Sequence, residues 1–163
     1  VADLKAATAR PEGRKPSGSA SLELETFLPY RLSVLSNRVS GRIARSYEKR
    51  FGLTIPEWRV MAVLGRFPGL TAAEVTERTA MDKVQVSRAV ARLMTAGRIE
   101  QKAVDGDRRA RHLFLSAAGQ LDHGAIVPLA REMERQLAAT LTPAERSQLD
   151  GILDKLLAAS ASL

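Results

Sequence analysis

Between Asp82 and Thr95 the sequence reads DKVQVSRAVARLMT, and its polar members recur at helical spacing. On a helix, Val86, Val90 and Leu93 share one face and turn inward, leaving Lys83, Gln85, Ser87, Arg88 and Arg92 outside. Those side chains suit a nucleic acid. Glutamine pairs bidentately with adenine and arginine with guanine, serine meets several base edges, and lysine meets phosphate. A solvated helix face carries similar residues, so this stretch alone leaves both readings open.

A second charged stretch follows, VDGDRRARHLFLS from Val104 to Ser116. Two short strands are predicted, over 98–103 and 111–115, with Gly106 available for the turn between them. The tip then carries Arg108, Arg109 and Arg111. Arginines on such a tip suit a minor groove, whose negative potential attracts them. Asp107 is placed to hold one arginine by a bidentate pair and so aim another. From Asp82 to His112 eight lysines and arginines face four acids, so this segment carries +4 of the chain's net +7. Charge concentrated beside a helix and a hairpin points to a polyanionic partner, and double-stranded DNA fits both features.

Helix starts position these groups. Thr54-Ile-Pro-Glu57, Thr71-Ala-Ala-Glu74, Asp82-Lys-Val-Gln85 and Thr142-Pro-Ala-Glu145 all have capping-box spacing. Short helices are therefore predicted after Thr54, Thr71 and Asp82, ending near Arg66, Thr79 and Gly97. The last two, joined tightly around Ala80-Met81, form a helix-turn-helix. Before them, Leu28, Leu32, Leu35, Val39, Ile43 and Tyr47 mark a long helix within 22–51, with Pro29 near its start. After the hairpin, Ser116 caps a helix running to about Leu141, with Gly119, Gly124 and Pro128 predicted to bend it. Leu149, Ile152, Leu153, Leu156 and Leu157 form the stripe of a last helix. Residues 1–20, with their prolines, glycines and serines, read as a flexible basic arm.

Composition excludes much else. With 163 residues and 45% hydrophobic content, the chain can bury a real core. It has no cysteine, which removes disulfides, thiolate metal sites and thiol redox sensing. His112 and His123, eleven residues apart, are the only histidines and make no metal site. No nucleophile elbow and no phosphate-binding glycine loop is present, so neither catalysis nor a cofactor is expected. Neither a membrane-spanning run nor the apolar core of a secretion signal is seen, which predicts a cytoplasmic protein without membrane attachment.

The stretch from Leu53 to Gln120 resembles the MarR family of transcriptional regulators, and the likeness extends over about 22–160. It is carried by the capped helix at Thr54, the Val86-Ser87-Arg88 run, the exit Leu93-x-x-x-Gly97-x-Ile99 and the wing Asp107-Arg108-Arg109. The family wing often repeats its Asp-x-Arg unit; here Val104 and Gly106 stand in the first unit, so Arg108 or Arg109 is the expected tip. The resemblance implies a mainly α fold with a small β-hairpin wing. A winged helix-turn-helix over 54–116 would be flanked by dimerisation helices at 22–51 and 117–160. It also implies a homodimer on a pseudo-palindromic operator, and the unpartnered apolar stripes at both chain ends agree.

Such regulators usually couple DNA release to a small ligand. Tyr30, Arg31, Asn37, Arg38, Trp58 and Met61 are the residues expected to line its pocket, an arginine beside aromatics suiting an anionic aromatic. Trp58 and Met61 equally fit plain core. The stretch FLPYRLSVLSNRVSG is similar to regulators that respond to aromatic acids or their coenzyme A thioesters, which predicts a repressor released by such a compound. Two alternatives remain: a ligand-independent DNA-binding repressor or architectural protein, and a helical adaptor for an acidic protein.

Overall fold

The computed structural model describes residues 22–104 and 107–162; the side chains of residues 104 and 107–110 lie outside the description. So does the arm predicted over 1–20. The chain divides into two compact units, at Leu35 and Ser36. In the first, a turn over 24–26 precedes helix α1, which spans Leu28–Phe51 and continues into the second unit. The helix predicted to lie within 22–51 thus starts at Leu28. Pro29 is its second residue, where a missing N–H costs nothing.

The second unit holds the remaining elements: α2 (Ile55–Arg66), β1 (Leu70–Thr71), α3 (Ala72–Thr79), α4 (Lys83–Thr95), β2 (Ile99–Val104), β3 (Asp107–Leu115), α5 (Ala117–Ala138) and α6 (Pro143–Ser160). The caps act locally, as the spacing predicts. Thr71 accepts from the Glu74 N–H while the Glu74 carboxylate accepts from the Thr71 N–H at 2.7 Å. Thr142 and Glu145 do the same. Both carboxyls are held below the usual carboxylate range, first by the backbone N–H each accepts. Asp82 accepts from Gln85 N–H at 2.8 Å, but here the cap is one-sided. Helix α4 ends on Gly97, at φ +65°, with Arg98 N–H donating to Leu93 C=O and Gly97 N–H to Met94 C=O. That left-handed exit is the conformation glycine supplies without strain.

The sheet has strand order β1-β3-β2, all antiparallel. Two-residue β1 is an addition to the sequence reading, which has only the hairpin. It pairs Leu70 with Leu113 and Thr71 with His112, tying the loop before α3 to the wing. Strand β3 also starts earlier than predicted, at Asp107, with a register shift between Lys102 and Val104.

A single core joins α2, α3, α4 and the sheet. Val60, Met61, Leu64, Val75, Val86, Leu93 and Leu113 are fully buried in it, and Tyr47 and Ile126 bring α1 and α5 onto it. Helix α5 runs unbroken through Gly124 and Pro128. Gly119 serves a close approach: a Cβ there would clash with the Arg98 carbonyl oxygen. Helix α6 buries none of its residues.

Candidate nucleic-acid interface

Helix α4 is fixed by its apolar face. Val86, Ala89, Val90 and Leu93 are all buried, and the Asp82 cap sets its first turn. The opposite face is left to solvent. Lys83, Gln85, Ser87, Arg88 and Arg92 are all exposed. The helix stands as a ridge between two open grooves. One, of about 550 Å³, runs against α3 and includes Ala73, Thr76, Lys83 and Ser87. The other, about 340 Å³, runs against the start of α2 and includes Thr54, Pro56, Gln85, Arg88 and Arg92.

Arg92 is anchored without being buried. Its Nη1 lies 3.8 Å from Oε1 of Glu57, while its side chain remains 69% exposed. Glu57, itself buried, also accepts from the Thr54 N–H at 2.7 Å. One carboxylate thus ties the N-terminus of α2 to a cation on α4, and the guanidinium keeps donors free for a second partner. The spacing from Thr54 to Glu57 is visible in the sequence; its link to Arg92 is not, because it joins separate helices.

Two of the cations counted in the sequence are committed elsewhere. Arg98 donates through Nε to Asp122 of α5 at 2.7 Å and through Nη2 to the Phe51 carbonyl at the end of α1 at 2.5 Å. It satisfies an orphan carbonyl and the negative end of that helix. Lys102 pairs with Glu100 at 2.6 Å and lies over the Phe114 ring at 5.5 Å. Among the described side chains of this segment, the uncommitted outward charge therefore lies on α4 and on Arg111 of β3. Arg111 is exposed on β3. Arg108 and Arg109, with the brace expected from Asp107, fall where side chains are not described. His112 is half-buried, its Nδ1 2.7 Å from the Gly69 carbonyl, which only accepts, so that nitrogen donates. It pins the wing to the loop before β1.

The six residues expected around a ligand are divided between the two units. Tyr30 and Arg31 are exposed in the first unit. Asn37 and Arg38 are exposed on α1 in the second. Met61 is fully buried in the core. Trp58 is half-buried, with its ring centroid 5.7 Å from that of Tyr47 and 5.7 Å from that of His123. Burial pushes the Tyr47 hydroxyl up to about 12 and His123 below the usual histidine range. This stack joins α1, α2 and α5. Among the described residues, no group of three or more His, Cys, Asp or Glu could hold a metal ion. Among the same residues, no helix is long and apolar enough to cross a membrane.

The fold that carries this ridge is matched by known proteins. The family model described as MarR family matches residues 51–110. An HTH-type transcriptional repressor of Mycobacterium tuberculosis is 25% identical over 131 residues, covering 80% of this chain and 91% of that protein. A MarR/EmrR family transcriptional regulator from Acinetobacter sp. ADP1 superposes with a TM-score of 0.80 at 25% identity, covering 87% of this chain and all of that one. Residues 51–110 thus carry a MarR-family region, and over most of its length the chain is similar to regulators of that family. These similarities support a DNA-binding transcriptional regulator. The homoprotocatechuate degradative operon repressor of Escherichia coli is also similar, 23% identical over 114 residues, 70% of this chain and 77% of that one.

Proposed function

We propose that this chain is a homodimeric MarR-family repressor that reads a pseudo-palindromic operator and is released by a small aromatic acid or its coenzyme A thioester. The observation that carries the DNA half is the α4 ridge. Its inner face is locked by four buried residues, and its outer face offers groups able to meet bases and phosphates, Val84, Met94 and small residues apart. Lys83, Gln85, Ser87, Arg88 and Arg92 then face the major groove, and Arg108, Arg109 and Arg111 follow the flanking minor groove. Domain roles follow the sequence reading: residues 54–116 bind DNA, and 22–51 with 117–160 assemble the dimer. Support for the dimer is the row Leu149, Ile152, Leu153 and Leu157, exposed by 38–68% on a helix that buries nothing. The effector class is supported by the likeness to a repressor of a degradative operon for homoprotocatechuate, an aromatic acid. The exposed cation of Arg38 and the half-buried ring of Trp58 suit such a compound, with Tyr30, Arg31 and Asn37 completing the set.

The test is fluorescence anisotropy on labelled DNA from just upstream of the chain's own gene, with excess nonspecific competitor. Nanomolar binding that resists competitor and weakens on adding aromatic acids or their thioesters is the expected result. Binding that resists competitor but ignores every such compound would leave a ligand-independent repressor. Binding abolished by competitor there and on sites selected from random DNA would overturn sequence-specific regulation.

A further inference from the structure

Val84 is the one large apolar side chain in the first two turns of α4 that the fold leaves outside. It is 57% exposed, while Val86 and Val90 on the same helix are buried. At 100° per residue the buried set, Val86, Ala89, Val90 and Leu93, centres on one side of the helix. Val84, Arg88 and Ala91 fall within a narrow arc directly opposite. Lys83 and Ser87 slope into the groove beside α3, and Gln85 and Arg92 into the groove beside α2. Val84 lines neither groove, so it stands on the crest, one turn before Arg88.

Nothing in the lobe's stability calls for a valine there. Its side chain adds little to the core, and a β-branched residue is a poorer helix former than lysine, glutamine or alanine. Its position matters to a DNA duplex instead. In the proposed docking, the N-terminal half of α4 enters the major groove, and its crest reaches deepest. A valine there has no hydrogen bond to offer. The apolar feature that the major groove presents is the C5 methyl of thymine. We infer that Val84 is a specificity-determining residue that reads a thymine methyl in each half-site of the operator. One helical turn separates Val84 from Arg88, about 6 Å along the axis, so the thymine lies about two base pairs from the contact made by Arg88.

This inference rests on the sequence-specific reading proposed above, and its test separates the two. The probe is the tightest-binding duplex selected by the full chain from a pool of random double-stranded DNA, together with copies in which each thymine in turn is replaced by deoxyuridine. That change removes a methyl and leaves every hydrogen-bonding edge intact. One symmetric pair of thymines is expected to matter, with wild-type affinity falling about fourfold per half-site, the value of one methyl-sized apolar contact. Val84→Ala is expected to bind the thymine duplex more weakly by a similar factor and to be indifferent to the same replacement. A selected duplex whose every replacement affects wild type and Val84→Ala equally would overturn the inference alone. A pool that yields no preferred sequence would overturn the sequence-specific reading and the inference with it.

Discussion

Helices α4 and α6 begin alike and end in opposite circumstances. Each has an N-cap side chain that accepts from the backbone N–H three residues on, Asp82 from Gln85 and Thr142 from Glu145. Each carries an apolar stripe at helical spacing. On α4 the stripe is buried and the polar face looks out. On α6 nothing is buried, and Ile152 and Leu157 are 53% and 68% exposed. Local chemistry therefore decides where a helix starts, but only a neighbour decides what its stripe is for. The lobe supplies that neighbour for α4. For α6 the proposed neighbour is a second copy, and burying four or five leucine-sized side chains per protomer would hold it strongly.

Charge on the α6 stripe is the most damaging way to break this contrast. Leu153→Asp with Leu157→Asp is expected to leave a folded lobe that sediments as a monomer. Its DNA affinity should fall by about a hundredfold or more, because two linked half-site contacts become one. A dimer that survives both changes would remove α6 from the interface. Gly119→Ala sharpens the lobe side. The new methyl would meet the Arg98 carbonyl, which the backbone holds in place, and should lower stability by about 3 kcal/mol in thermal denaturation. Arg88→Ala should weaken operator binding by about 1–3 kcal/mol in anisotropy titrations, with melting temperature and oligomeric state unchanged. Asp82→Ala removes the α4 cap and should cost about 1 kcal/mol of lobe stability by urea titration. The smallest effect has the opposite sign. Ala80 holds φ +50° in the turn before α4, so Ala80→Gly should be stabilising, by up to about 1 kcal/mol.

What the sequence showed follows the same division. The starts of α2, α3 and α4 were legible at Thr54, Thr71 and Asp82 because a cap and its partner lie three residues apart. The inward set Val86, Val90 and Leu93 was legible because helical periodicity is local. Arg98 enters the sequence only as one charge in the count from Asp82 to His112, because its partners, Asp122 and Phe51, lie 24 and 47 residues away. Strand β1 was hidden for the same reason: two residues carry no alternation, and Leu70 and Thr71 become a strand only by pairing with β3. The close approach at Gly119 is not legible in the sequence, since no sequence pattern reveals a carbonyl approaching from another element. Met61 has the type a ligand pocket would use, yet its burial belongs to the core.

The most direct test of two copies of α4 presented by one dimer is a hydroxyl-radical footprint of the wild-type chain on its selected operator. Two protected patches related by two-fold symmetry, with centres about 34–36 Å or one helical turn apart, are the predicted result. A single patch covering one half-site, at a concentration that saturates binding, would contradict it.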